Sequence, residues 1–199
     1  MAEIMTTPFA QAFENSMGHE GGYTTAGPTY RGIDKRFHPS WPGWPLVQQW
    51  LDGDITALEL SDRTDQMTHQ FYRVEFWDRI RGDELAQLDL GLAKTMFDFA
   101  LHSGTHDAVR ALQRALNKIN RNGQTYPDLV VDGRLGNQTM NTLRRVLQLN
   151  IGGSVKNARI ILLTHYFGER YNHLAGCRDM ELWPGWFLRL AKEVLASAA

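Results

Sequence analysis

Apolar side chains recur along this chain at the i, i+3, i+4 spacing of amphipathic helices, and that period dominates the whole pattern. Phe9, Ala12, Phe13 and Met17 form the first such face, with Pro8 suited to an opening turn. A second stretch is expected after Ser61-Asp62, with Met67, Phe71 and Val74 on one side. Ala93, Met96, Phe97, Ala100 and Leu101 define a third, which Gly104 should end. Thr105 or Asp107 is placed to cap the next, through Ala108, Leu112, Ala115, Leu116 and Ile119. Further helices are expected through Met140, Leu143 and Leu147, from Ala158 to Tyr171, and from Pro184 to Leu195. Asn122-Gly123, Pro127 and Asp132-Gly133 punctuate a loop between them. Only residues 21–33 and the Leu129-Val130-Val131 run could hold strands, as a small hairpin or two. The pattern predicts a mainly α protein.

Composition narrows the function classes. At 199 residues the chain can bury a sizeable core without covalent staples. A formal net charge of -1 offers no basic field for nucleic acid. The longest aliphatic run, Ile160-Ile161-Leu162-Leu163, falls far short of the roughly 20 residues of a bilayer span. Met1 to Ala12 shows no basic start, apolar core or cleavage site, so synthesis in the cytoplasm without a signal peptide is expected. Cys177 is the only cysteine and reads as a structural thiol, although His173 stands four residues upstream. No glycine-rich phosphate loop or HExxH is present, and His19, His38 and His69 match no metal-ligand spacing. No cofactor and no metal are expected.

Chemistry concentrates in His19-Glu20-Gly21-Gly22-Tyr23 and Gly27-Pro28-Thr29-Tyr30-Arg31-Gly32-Ile33. A helix is expected to deliver the Glu20 carboxylate at its C-terminal end, where the dipole is negative, and two glycines then allow a sharp turn. Nearby aromatic rings add desolvation, so the carboxyl pKa should rise. A carboxylic acid kept protonated is what protonation of a leaving glycosidic oxygen needs. On chemistry alone, a solvated helix-end acid remains open.

Glu20-Gly21-Gly22-Tyr23 followed by Thr29-x-x-Gly32-Ile33 resembles the opening of the glycoside hydrolase family 108 lysozymes. Similar elements follow in the same order: Phe71 to Trp77, Asp83-Glu84-Leu85, Phe97 to Gly104, and Ala111 to Leu116. Val131 to Thr139 is similar to the V-D-G-x-x-G-x-x-T element of the predicted peptidoglycan-binding region that accompanies these enzymes, and Gly185 to Arg189 to a closing G-W-x-x-R. The resemblance spans nearly the whole chain. It implies a lysozyme-like helical fold with a small β-hairpin near the active site. It also implies an N-acetylmuramidase that cuts between N-acetylmuramic acid and N-acetylglucosamine, with Glu20 as general acid. A catalytic region over 1–90 and a helical peptidoglycan-binding-like region over 91–199 are expected, packed together.

The sequence departs from that family in one loop. Thr24-Thr25-Ala26-Gly27-Pro28 is short and carries no carboxylate, whereas family members have a longer acidic loop there. A two-carboxylate hydrolase wants its second acid about 5 Å away for retention or roughly 6.5–9.5 Å for inversion. Asp34 is the nearest downstream acid, and Glu75 and Asp98 come later; Asp98 could equally be a buried structural acid. Thr29 could orient the attacking water. Tyr23, Tyr30, Tyr72, Trp77, Asp98 and His102 are the candidates for binding sugar, each weighed against a place in the core. Trp41 to Trp44, with Pro42 and Pro45, could be a groove wall, a lid or a packing knot. The Asp132 to Gly136 loop, with Asn137 as a helix cap, could join two elements or touch glycan directly.

The reading has rivals: a non-catalytic wall-binding or secretion-assisting protein, and a wall amidase or endopeptidase. Peptidoglycan strands are the expected partner. A holin, secretion machinery or an immunity protein would come in if the chain is an endolysin or a secreted bacteriolytic effector. It would then act in the periplasm or cell wall.

Overall fold

A computed structural model describes residues 7–17, 22–24, 27–120, 123–176 and 190. The described residues form eight α-helices and one three-stranded antiparallel sheet. The architecture is the expected mainly α, lysozyme-like one with a small β element. Contacts divide the chain into two compact units, Met1–Asp78 and Arg79–Ala199.

The first unit opens with α1 (Pro8–Met17), which buries Phe9, Ala12, Phe13 and Met17 as its spacing requires. A meander follows: β1 (Tyr23–Thr24), β2 (Thr29–Tyr30) and β3 (Ile33–Asp34). The β2–β3 connection is the two-residue turn Arg31-Gly32, with φ of 47° and 78°. Positive φ at both positions is the geometry that matches the twist of a tight hairpin, and glycine supplies one without cost. Arg31 has a Cβ and pays strain there. Two contacts hold it in place: the Tyr72 hydroxyl donates to the Arg31 carbonyl at 2.8 Å, and the Arg31 guanidinium meets Asp65 at 3.1 Å.

The Trp41 to Trp44 segment is a packing knot that leads into α2 (Trp44–Leu51). Trp41 stacks on Tyr30 with ring centroids 5.9 Å apart and meets Trp44 edge-on at 5.2 Å. The Trp41 ring lies so close to Gly43 that a Cβ there would fall 2.1 Å from it, so only glycine fits. Sequence periodicity missed this helix because Pro45 reads as a breaker. Proline is tolerated in a first turn, where its missing N–H is not needed.

The helix expected after Asp62 starts earlier, as α3 (Ala57–Tyr72). Thr56 and Glu59 form a reciprocal capping box at its start. Its buried stripe is Leu60, Thr64, Thr68 and Tyr72, and the two threonines donate to the carbonyls four residues back, at 2.7 and 2.9 Å. Arg73–Trp77 continues it as one π-helical turn. Val74, expected inside with Met67 and Phe71, is 43% exposed because the buried stripe of Leu60, Thr64, Thr68 and Tyr72 runs one position along from that face; the π turn then carries a fully buried Trp77.

The second unit contains α4 (Gly82–Leu88), α5 (Leu90–Ser103) and α6 (Thr105–Ile119). α7 (Asn137–Leu147) and α8 (Val155–Gly176) follow. α5 and α6 are broken at Gly104, which serves both as C-cap and N-cap, so neither Thr105 nor Asp107 has the cap position. Likewise Gly136 caps α7, and Asn137 is its first residue. α6 packs against α5, α7 and α8, with Leu112, Ala115 and Leu116 at 0% exposure. Leu129 to Val131 forms no strand. The Asn117 side chain satisfies Leu129 instead, donating to its carbonyl and accepting from its N–H, both at 2.8 Å. The Pro184–Leu195 helix and Cys177 fall outside the described residues, Leu190 excepted, which is helical and buried. No described helix is long and apolar enough to cross a membrane.

Candidate active site

Glu20 lies outside the described residues; in sequence it stands between α1, which ends at Met17, and β1, which begins at Tyr23. What the structure does show is the sheet that follows it. Tyr23 pairs with Tyr30 and Tyr30 with Ile33; Thr24 pairs with Thr29 and Thr29 with Asp34. Directly opposed residues of antiparallel strands project from the same face. One face is therefore the row Tyr23, Tyr30, Ile33, with the last two buried. The other is the row Thr24, Thr29, Asp34, which is exposed or half-buried. Two of the three catalytic candidates, Thr29 and Asp34, are thus side-by-side neighbours on a solvent-reached face.

Their chemical states differ. Asp34 is clamped by Arg36: Nε lies 3.0 Å from Oδ1 and 3.1 Å from Oδ2, Nη2 lies 2.6 Å from Oδ2, and the Arg36 backbone N–H donates to Oδ1 at 2.8 Å. The Arg36 guanidinium beside it holds the Asp34 carboxyl below the ordinary carboxylate range. A carboxylate so stabilised in its charged form is a weak proton acceptor. The Thr29 hydroxyl, by contrast, makes no hydrogen bond among the described residues. No described residue occupies it, which suits it to hold a water or a sugar substituent.

The aromatic candidates separate in the same way. Tyr30 is 5% exposed and its hydroxyl shares a hydrogen bond with Thr64 Oγ1 at 3.1 Å. Tyr72 is 4% exposed and anchors the hairpin turn, and Trp77 packs on Phe9 at 5.8 Å. A ring with almost no open face offers little for a sugar to stack on, so their burial favours the place in the core weighed for each; Tyr30 and Tyr72 tie the sheet to α3, and Trp77 packs under α1. Tyr23 keeps partial exposure and meets Trp50 edge-on at 5.9 Å. Trp50, half-buried at the end of α2, was missed by sequence reasoning, which had no helix there to place it on. Phe37, 76% exposed beside the Arg36 clamp, was also missed. An apolar ring in a turn carries no periodic signal.

Asp98 and His102 lie on α5 in the second unit. Asp98 is 6% exposed and paired with Arg170, itself 3% exposed. Its surroundings are those of a structural acid. His102 Nδ1 is 2.7 Å from the Asp98 carbonyl and 3.8 Å from its carboxylate, leaving the outer ring edge partly open. Glu75 lies half-buried in the π turn. His38 and His69 are engaged by rings: His38 edge-on to Phe71 at 4.7 Å, His69 against Phe13 at 4.1 Å.

A solved structure with the same fold is that of SagA from Brucella abortus, with a TM-score of 0.61 and 21% identity over 96% of this chain and 93% of that one. No curated protein matches the chain. Residues 13–104 match the family model of glycosyl hydrolase 108, and residues 107–181 match that of the predicted peptidoglycan domain. The two matches define the class: a glycoside hydrolase that acts on peptidoglycan. Within that class the first half of the chain, residues 13–104, is similar to the glycosyl hydrolase 108 family. The family region runs to Gly104 and so includes α4 and α5, which pack in the second compact unit.

Proposed function

We propose that the protein is an N-acetylmuramidase, with Glu20 as general acid and Thr29 as the group that orients the attacking water. The observation that carries the reading is the polar row Thr24, Thr29, Asp34 on the open face of the sheet that directly follows the Glu20-Gly21-Gly22-Tyr23 element of a glycosyl hydrolase 108 region. In this reading Glu20 gives its proton to the glycosidic oxygen as the bond to the anomeric carbon breaks, the water held by Thr29 attacks that carbon and sheds its proton to solvent, and Glu20 is reprotonated from solvent. Asp34, fixed as an anion by Arg36, stabilises positive charge developing on the sugar instead of taking the proton. Tyr23, with Trp50 and Phe37, offers the apolar surfaces against which sugar faces pack. Catalysis is assigned to 1–90 and wall binding to 91–199, and the protein works in the periplasm or cell wall.

The test is the product of digesting purified sacculi. After borohydride reduction, new muramitol ends on fragments with intact stem peptides support the assignment. New glucosaminitol ends, or free stem peptides, sink it.

A further inference from the structure

In the second unit, the loop from Leu129 to Gly136 and the first turn of α7 border a groove of about 270 Å³. Gln113 of α6, 1% exposed, holds the loop in shape. Its amide donates to Asp132 Oδ1 at 2.8 Å and to the Arg134 carbonyl at 3.2 Å, and its carbonyl accepts from the Gly133 N–H at 2.9 Å. The Arg134 N–H also donates to Asp132 Oδ1, at 2.9 Å. Asp132 Oδ2 accepts no hydrogen bond from another described residue, and the Arg134 guanidinium makes no ion pair or hydrogen bond among them. Opposite charges two residues apart thus line one groove, each with its outward valence unused. Val130, 76% exposed, adds an apolar patch, and the exposed Asn137 and Gln138 add amides.

A ligand that satisfies this wall carries an ammonium and a carboxylate close together, with methylenes between them and its main chain. A neutral sugar would use neither charge. We propose that this groove binds the zwitterionic end of a wall stem peptide, an ammonium and a carboxylate on one carbon as at the side-chain end of diaminopimelate. The ammonium sits on Asp132 Oδ2, the carboxylate on the Arg134 guanidinium, and the methylenes on Val130. The proposal rests on peptidoglycan being the substrate, and it gives the second region the peptide to recognise rather than the glycan.

Calorimetric titration of the full chain tests it, with the free tripeptide L-alanyl-γ-D-glutamyl-meso-diaminopimelate as probe. Saturable binding is expected, and lysine in place of diaminopimelate, which removes the side-chain carboxylate, should weaken it about tenfold. Arg134→Gln should bring the diaminopimelate peptide down to the lysine peptide's affinity and leave the lysine peptide unchanged. Asp132→Asn keeps the Oδ1 acceptor for Gln113 and should weaken both peptides. If that variant fails to fold, Arg134→Gln carries the test, since its exposed side chain makes no hydrogen bond or ion pair among the described residues. Equal affinity for both peptides, insensitivity to Arg134→Gln, no saturable tripeptide binding, or competition by a chitin tetrasaccharide would overturn the proposal. Sacculus digestion by the same preparation reports the muramidase reading separately, so the two can fail independently.

Discussion

Replacing Asp98 by alanine separates a structural acid from a substrate contact. Its carboxylate meets Arg170 of α8 in the interior, and the guanidinium lies over the Phe99 ring at 5.3 Å. Removing the carboxylate takes away the anion that the Arg170 guanidinium, 3% exposed, meets in the interior. Breaking a buried pair in this way costs about 3–5 kcal/mol, well above the ~1 kcal/mol of an ordinary hydrogen bond. In a chain of this length each kcal/mol moves the melting temperature by about 2–4 °C, so the loss should be roughly 6–20 °C. Removing both charges, with Asp98→Leu and Arg170→Met, should recover most of that, because no lone charge stays buried. The assay is thermal melting by circular dichroism, paired with initial rates on sacculi well below the transition. Asp98→Ala should melt early yet keep its rate per folded molecule within about threefold. A melting shift under roughly 2 °C together with loss of hydrolysis would refute the structural role and put Asp98 on the glycan.

Thr29→Val is nearly isosteric and breaks no hydrogen bond with a described residue, so it should change stability by less than about 1 kcal/mol while lowering kcat about ten- to a hundredfold; an unchanged kcat would remove Thr29 from water positioning. Arg36→Gln should raise the Asp34 titration midpoint toward the ordinary carboxylate range, followed by carboxyl NMR. Because the folded-state pKa is depressed, the stability this clamp contributes is present above the ordinary carboxylate pKa and lost as pH falls, and a midpoint that stays put would contradict the clamp. Tyr126 donates to the Leu116 carbonyl at 2.6 Å, and burial with Asp128 nearby pushes its phenol up to about 12. The unfolded phenol ionises near 10, so the contribution is complete below about pH 10 and lost between about 10 and 12; Tyr126→Phe should delete that late phenolate absorbance step and flatten the alkaline stability loss.

Where burial and apolarity coincide, the chain was easy to read. Phe9, Phe13, Met96, Leu112, Met140 and Leu143 all point inward from the helices their spacing suggested. The start of α3 was hidden because Thr64 and Thr68 occupy its buried stripe, and their hydroxyls look polar until they are seen bonded to their own helix. The Thr56–Glu59 box was a usable signal in the sequence. Val74 was misplaced with Met67 and Phe71 because the apolar residues there sit one position off the threonine-bearing buried stripe. The small sheet was legible from its glycines, but the pairing of Thr29 with Asp34 was not, since register depends on the turn at Arg31-Gly32. Tyr30 and Tyr72 were ambiguous for another reason: a phenol can equally stack on a sugar or bond inside, and only their partners, Thr64 and the Arg31 carbonyl, decide.

The most direct test of the account is Glu20→Gln assayed on purified sacculi, with binding and product release measured on the same protein. The account predicts that the variant sediments with sacculi as the wild type does but releases no new reducing muramic acid ends, its rate falling at least about a hundredfold. A variant that still releases them near the wild-type rate would contradict the assignment of Glu20 as the proton donor.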